Sequence, residues 1–352
     1  MKNLITRNVI GKEGFIWWMG VVENRVDPEM MGRVQVRIFG WHTEDKSLIP
    51  TESLPWSHPI VPVNASNTTH TPKEGDWVFG FFADGQNAQH PMVMGVLTGF
   101  PTSSPDTGVG FCDPSGTYPN RLNEPTTSRL ARGRTDGTVQ QTRRRNAKKG
   151  VKTVNGGGSW DEPASPFAPQ YPRNAAHESE SGHAIELDDT PAKERVNIAH
   201  KVGTFTELTA DGDSVTHIVR DSYHVTMGKS FVSIEGVTNV TVGGDCNLKV
   251  VGKLNCEAAE INLNSKGDVK IKAGGKLKME SGSTVDLKAS GATKIGGGGK
   301  LSLKGSSATV QGKSVTLAGN VSNKVKTKHG IGKIIPSGSA ASPSNTGLKT
   351  PS

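Results

Sequence analysis

VTMGKSFVSIEGVTNVTVGGDCNLKVVG, residues 225–252, repeats itself every eight residues. Gly228, Gly236, Gly244 and Gly252 stand on one eight-residue ladder, and Val232, Val240 and Leu248 keep the same interval. Ile234, Val242 and Val250 do so too. After a slip of one residue a second ladder carries Gly267, Gly275, Gly291 and Gly299, with Ser283 on the rung between. Aliphatic positions follow it as Leu263, Ile271, Met279, Leu287, Ile295 and Leu303. Within each octad the apolar residues alternate, which is the period of a strand, and the glycine falls where that strand must turn sharply. A fixed short period over residues 224–320 implies a fibrous β architecture rather than a globule. One chain cannot complete it. No aromatic residue follows Phe231, and the few aliphatics in each octad have no second layer to pack against. Burial and strand pairing have to come from identical neighbours.

The rest of the 352 residues divides around that tract. The first hundred hold Trp17, Trp18, Trp41, Trp56, Trp77, Phe39, Phe79, Phe81 and Phe82, enough for an ordinary globular core. Cys112, Cys246 and Cys256 are odd in number and lack ligand spacing, so neither a disulfide framework nor a zinc site is expected. The net charge of +8 comes largely from one basic stretch and from lysines scattered along the octads. The opening MKNLITRNVIGKEG has no apolar run of signal-peptide length, and no later stretch reaches membrane-spanning length. Assembly in a cytoplasm is therefore expected.

After an arm over residues 1–13, residues 14–100 read as short strands between turns. Phe15–Glu23, Arg33–Phe39, Asp76–Phe82 and Met92–Leu97 are the strand candidates. In the second, Val34, Val36 and Ile38 alternate with Arg33, Gln35 and Arg37, the pattern of a half-buried strand. About five strands without a helical period fit a small closed barrel. Its aromatics sit among aliphatics within strands, as core residues do, rather than forming a platform on which nucleic-acid bases would stack.

Residues 101–172 are dense in Pro, Gly, Ser, Thr and Asn. Between Arg129 and Lys152 nine basic residues face one acid, Asp136. That composition predicts a flexible, solvated tether, with an arm touching anionic lipid or DNA as the alternative. Glu124, Asp136, Asp161 and Glu162 lie in it. A glycosidase needs two carboxylates held rigidly across the scissile bond, and a catalytic domain on the order of 100–200 residues with its own core. Neither is available in this segment, so no catalytic residue is expected.

HESESGHAIELDDTPAKERVNIAH, residues 177–200, opens a lead-in spanning 173–223. Glu186, Asp188 and Asp189 beside His183 could imitate a metal or acid–base cluster. Alternation argues for a structural role, since Ile185 and Leu187 fall on one face and Glu186 and Asp188 on the other, before an Asp189-Thr190-Pro191 turn. Thr204–Thr209 and Ser214–Val219 read as further strands. Residues 321–352 form a tip and tail with only His329, so no metal is expected there; Ile331, Ile334 and Ile335 could cap the fibre or seat a separate tip protein. No cofactor-binding or metal-ligating residue is expected anywhere in the chain.

Three passages carry a family resemblance. Asp27, Pro28, Gly32, Arg33, Val34 and Val36 form one pattern, and Glu74-Gly75-Asp76-Trp77-Val78 a second. The third is Glu178, Ser179, Gly182, His183, Ile185, Glu186, Asp188, Asp189, Thr190, Pro191, Glu194 and Arg195. Together they resemble the central spike or baseplate hub proteins of contractile-tailed bacteriophages, the tail-lysozyme family related to VgrG. The resemblance implies an all-β chain: an N-terminal OB-fold barrel, then a C-terminal intertwined triple-stranded β-helix. That β-helix is a homotrimeric prism with octad valines inside, glycines at the corners, and lysines such as Lys249, Lys253, Lys270 and Lys278 outside. In its best-known members a muramidase sits between barrel and needle, and here that place is too short for one. The implied function is a non-enzymatic needle of the tail baseplate that pierces the host envelope. Its implied partners are a hub protein on the barrel, a separate tip protein and, transiently, the outer membrane, with no specific nucleic acid. A tail-associated peptidoglycan hydrolase and the spike of a type VI secretion or tailocin machine are the alternatives. Because a charge cannot be buried unpaired inside such a prism, Val240→Asp and Ile271→Asp should each abolish self-association. Loss of SDS-resistant trimers on gels is the readout.

Overall fold

The computed structural model describes residues 15–64, 71–114, 116, 118, 121–154, 157–307, 309–314, 325–327 and 330–332. The N-terminal arm 1–13, His329, Ile334 and Ile335 lie outside the described residues. Two compact units meet at the Val251/Gly252 boundary.

The first unit begins with β1 (Trp17–Asn24), β2 (Val34–Ile38), β3 (Trp56–Pro59), β4 (Trp77–Phe82) and β5 (Pro91–Leu97). They close into a barrel in the order β1-β2-β3-β5-β4, with β3 and β5 parallel and the other pairs antiparallel. Trp18, Val22, Val34, Val36, Ile38, Val78, Phe82 and Val93 fill it. Gly80 makes the closure possible: a Cβ there would stand 2.1 Å from the Met92 carbonyl oxygen and 2.5 Å from the Trp18 ring. Strands β1, β2, β4 and β5 follow the sequence pattern. Strand β3 is too short for alternation to reveal it and pairs with only two residues of β2.

Two expectations for the barrel change. Trp18, Phe81 and Phe82 are buried, but Trp17 remains 57 % exposed and Trp77 44 %, and Phe39 and Trp41 are also exposed. Neighbours on a strand point to opposite faces, so an aromatic run cannot all enter one core. Strand β2, expected to be half-buried, is buried at every position. Its polar face is covered by the loop that follows it. Arg37 donates to Glu23 Oε1 at 2.8 Å and to the carbonyls of Thr43 and Ile49, and Gln35 donates to the carbonyl of Leu54. Thr51 Oγ1 donates to Glu23 Oε2 at 2.8 Å, so the buried carboxylate is fully engaged.

The Asp27–Arg33 turn is closed by one side chain. Asp27 Oδ2 accepts from the amides of Met31 and Arg33, and Oδ1 from the amide of Glu29 and, at 2.7 Å, from Arg33 Nη2. Met30 and Gly32 adopt positive φ within this loop.

Residues 101–172 are not the flexible tether that their composition predicts. A helix, α1 (Val139–Asn146), and a small hairpin, β6 (Val151–Lys152) with β7 (Ser159–Trp160), are embedded in them. Thr138 caps α1, its Oγ1 accepting from Gln140 N at 3.3 Å, and Arg143, Arg144 and Arg145 fall in the last turn, where the helix dipole favours cations. The segment lies over a five-stranded meander of β8 (Asn174–Glu178), β9 (Ala184–Asp188), β10 (Arg195–Ala199), β11 (Phe205–Thr209) and β12 (Ser214–His217). Leu130, Val139 and Phe167 from the segment pack with Ala184, Ala199 and Phe205 from the sheet as a second core. The composition missed this because most of what the segment contributes is polar.

From 220 to 314 the described residues form no strand or helix. The backbone bends at Gly228, Gly236, Gly244 and Gly252, then at Gly267, Gly275, Ser283, Gly291 and Gly299. Between the two ladders the bend falls at Ala259, where the slip in register lies. The octad period is thus written in the backbone, but the paired strands of a β-helix do not form within one chain. Val240 is 71 % exposed, and its counterparts on the other rungs are bare as well. A short hairpin, β13 (Val325–Thr327) with β14 (Gly330–Gly332), follows.

The Asp27 carboxyl is held far below its ordinary range, first by the Arg33 side chain and then by the three amides, against the opposing effect of burial. A depressed folded-state value stabilises the protein above the unfolded value, near 4, and that contribution is lost as pH falls through the folded one. The stability advantage of the parent over Asp27→Asn should therefore be constant from about pH 7 to pH 5 and shrink in stronger acid. Thermal unfolding across that pH range measures it.

Candidate assembly site

The five-stranded sheet inverts the arrangement of an ordinary solvated sheet. Along β9, Ala184, Glu186 and Asp188 are buried, whereas Ile185 is 50 % and Leu187 51 % exposed. Along β10, Arg195, Asn197 and Ala199 are buried and Val196 and Ile198 exposed. Strand β11 repeats this with Phe205 and Glu207 inside and Leu208 outside. The sequence pattern correctly separates two faces. The face carrying the charges is the inner one.

Glu186 is the centre of that inner face and is 0 % exposed. Arg195 donates to both of its oxygens, at 2.5 and 3.1 Å. Asn197 and Asn174 donate at 2.7 and 3.0 Å, and Gln140 reaches it from α1 at 3.3 Å. Glu207 is held by Arg143 at 2.6 Å, by Arg195 at 3.3 Å and by the Ser165 hydroxyl at 2.8 Å. Two carboxylates thus meet two guanidiniums and the cluster is neutral. Each guanidinium also lies over a ring: Arg143 3.9 Å from the Phe205 centroid and Arg195 5.0 Å from that of Phe167. Burial alone would raise the Glu186 carboxyl. The Arg195 hydrogen bonds and charge, with the amides of Asn174 and Asn197, outweigh it and leave the group below its ordinary value.

None of this is accessible to a substrate, and of the remaining candidates the carboxylates of Glu124, Asp161 and Glu162 are engaged too. Glu124 is bound by Arg129 and Arg132 at 3.1 and 2.9 Å and is lowered first by the Arg132 hydrogen bond. Asp161 accepts from the amide of Gly150, and Glu162 pairs with His217 at 2.7 Å and accepts from the amide of Lys148. Asp136 contributes its carbonyl to Arg129. These residues are therefore fixed, contrary to the sequence expectation, but by arginines, a histidine and backbone amides and not as a facing pair. His183 lies against His200, with ring centroids 4.2 Å apart, and Asp188 accepts from the Thr190 hydroxyl and amide. Among the described residues no group of three His, Cys, Asp or Glu could hold a metal ion, and no helix is long and apolar enough to cross a membrane.

The barrel and the sheet are joined inside the first unit through Arg25, which pairs with Glu74 at 3.2 Å and with Glu180 on the turn after β8. A polar cleft of about 740 Å³ lies beside this contact, lined in part by Lys73, Asp76, Trp77, Tyr118, Arg121 and Glu178. Its charged groups are largely satisfied: Ser128 Oγ donates to Glu178 at 2.5 Å, and Asp76, raised by burial, accepts from the amide of Lys73. What the unit leaves unpartnered are apolar faces. One is the outside of the sheet. The other is on the barrel, where Trp17, Met19, Trp77 and Leu97 stand outward on β1, β4 and β5 and Phe39 packs against Trp77.

The Gp5 N-terminal OB domain family matches residues 40–198, from ahead of β3 through α1 to β10. Protein Gp5 of Vibrio phage KVP40 is 40% identical over 275 residues, 67% of this chain and 65% of that protein. The pre-baseplate central spike protein Gp5 of Enterobacteria phage T4 is 37% identical over 121 residues, 31% of this chain and 21% of that protein. The chain thus spans less than two thirds of the length of either relative. Residues 40–198 are thus similar to the Gp5 N-terminal OB domain, and the chain is similar in part to these two phage proteins.

Removing one member of a buried ion pair strands the other, which typically costs about 3–5 kcal/mol. Arg195→Met should therefore lower the unfolding midpoint sharply, whereas Arg144→Met, on the solvent side of α1, should change it little. Far-ultraviolet circular dichroism during heating reads both. The Glu186 contribution, present above about pH 4.3, should fade as acid is added.

Proposed function

We propose that this Gp5-like chain is a structural central spike of a contractile phage tail, a homotrimeric needle that pierces the host envelope. The octad tract carries this reading. Its rung glycines set a regular bend, its aliphatics are bare in one chain, and it follows directly on a finished head of barrel and sheet. Three copies would supply the missing strand partners, remove free edges and place the octad aliphatics in a shared interior. The name of the T4 relative, a pre-baseplate central spike protein, supports the same role. In this reading the baseplate of the virion tail is where the protein works.

The head serves as a collar. The outward aromatics of the barrel suit a protein surface better than a nucleic acid. They lie on β1, β4 and β5, whereas OB barrels bind oligonucleotides on the face of strands 2 and 3. A baseplate hub protein is the proposed occupant of the barrel, and a separate tip protein would close the far end of the needle. The spike acts mechanically, without catalysis. The carboxylates of Glu124, Asp161, Glu162, Glu186 and Glu207 are committed to arginines, amides and a histidine, and the segment between barrel and sheet is consumed in packing.

Negative-stain images of the purified full chain should show a threefold rod projecting from three compact heads, and the protein should leave a peptidoglycan suspension unclear. Globular monomers in the images would refute the needle; clearing of the suspension would refute the purely mechanical role.

A further inference from the structure

The polar cleft beside Arg25 holds more arginine than its nearest acid can neutralise. Arg121, Arg129 and Arg132 line it together with Glu124. Arg129 and Arg132 each take one Glu124 oxygen, at 3.1 and 2.9 Å, and donate a further N–H to the carbonyls of Asp136 and Thr127. Arg121 acts on the same carboxyl through its charge but forms no ion pair among the described residues. Gly137 is what seats it there. Its φ is +67°, and a Cβ at this position would stand 2.0 Å from Arg121 Nη2 and 3.7 Å from Arg129 Nη1. A residue with a side chain would displace the guanidinium, so glycine allows two like charges to lie close together. An oxyanion bridging them would offset their repulsion, and a guanidinium fork matches phosphate geometry.

The rest of the cleft says what such an anion would be attached to. At about 740 Å³ the space is far larger than one oxyanion and falls in the range of small-molecule sites. Its other lining groups are carboxylates and aromatic rings. Glu178 accepts from the Ser128 hydroxyl at 2.5 Å, and Asp76 accepts from the Lys73 amide at 2.9 Å. Both are held in place and face the cavity. Trp77, 44 % exposed, and Tyr118 add flat apolar surface. Carboxylates that accept from hydroxyls, beside rings that take the apolar face of a pyranose, are the groups that recognise a sugar. A bare anion would leave them unused, and a neutral sugar would leave Arg121 unmatched.

We propose that this cleft binds a phosphorylated saccharide, with the phosphate on Arg121 and Arg129 and the sugar on the aromatic and acidic lining. The site is one of binding and not of turnover, since Glu124 is committed to two arginines and Glu178 to a hydroxyl. It lies wholly within one copy of the first unit, so it does not depend on the needle proposed above.

Isothermal titration calorimetry of the full-length protein tests the proposal, with three probes: the anomeric phosphate of glucose, glucose itself and inorganic phosphate. The sugar phosphate should bind at least about tenfold more tightly than either fragment, because it engages both sets of groups at once. Arg121 is exposed, so Arg121→Gln should keep the parent's unfolding midpoint. It should weaken the sugar phosphate about tenfold or more, the loss expected on removing a charge-assisted hydrogen bond, and leave glucose unchanged. Gly137→Ala should reproduce that loss by moving the guanidinium, and Trp77→Ala should weaken sugar and sugar phosphate alike. Inorganic phosphate binding as tightly as the sugar phosphate would reduce the cleft to a site for an adventitious ion only and overturn the proposal. So would binding that Arg121→Gln leaves unchanged, or the absence of binding by all three probes. None of these outcomes bears on whether the protein forms a threefold rod.

Discussion

The Glu186 carboxylate is the contact on which the first unit depends. It is withdrawn from water and bound by residues from two strands and the helix: Asn174 on β8, Arg195 and Asn197 on β10, and Gln140 on α1. An ionised carboxylate cannot be left bare in such a place, so these elements must arrive together. In the ladder Glu186 stands opposite Asn197 on one side and Ala176 on the other. A slip of one residue would turn Glu186 to the outside and bring Ile185 in. An aliphatic interior would tolerate neighbouring registers far better. The ion cluster therefore specifies register as much as it stabilises, and the matched count of two carboxylates and two guanidiniums makes a single register self-consistent.

The same cluster explains which parts of the molecule could be read from sequence. The octad ladder was legible because repetition is visible without knowing what lies inside, and the bends fall on its rungs. Four barrel strands were legible, one from alternation and three as apolar runs set off by turn residues. Strand β3, four residues with Trp56 and Pro59, had no period to show. Helix α1 was hidden because Val139 is its one aliphatic; it docks through Gln140 and Arg143, residues that composition assigns to solvent. The direction of burial was hidden for a deeper reason. Alternation states that Glu186 and Ile185 face opposite ways but is symmetric between inside and outside, and only the partners, Arg143 and Asn174 among them, decide. Of the carboxylates first weighed as catalytic candidates, the sequence did not reveal that Glu124 and Glu162 have fixed partners, because those partners lie several residues to more than fifty residues away.

The basic stretch changes meaning on the same grounds. Arg129 and Arg132 bind Glu124, and Arg143 binds Glu207. Three of its nine positive charges are thus internal, which weakens the case for an arm reaching toward lipid or DNA. A guanidinium suits this use because its planar fork satisfies a carboxylate with two bonds while its face lies on a ring, as Arg143 does on Phe205.

Placing charges inside and aliphatics outside also separates two events that other folds combine. The head closes upon itself through the ion clusters of Glu23 and Glu186 without needing a second copy. The outer sheet face and the octads have no such internal solution, and their aliphatics stay uncovered in one chain. An uncovered strand-like tract is an aggregation hazard, and charged residues at its margins are the usual protection. Lys249, Lys253, Lys270, Lys272, Lys276 and Lys278 stand at close intervals among the octad aliphatics. In the proposed needle these lysines end on the surface, so like charges discourage association between finished trimers, while the aliphatic rungs drive association within one. In that reading a head that closes on itself and a charged outer surface both favour one closed assembly over a ladder of misaligned ones.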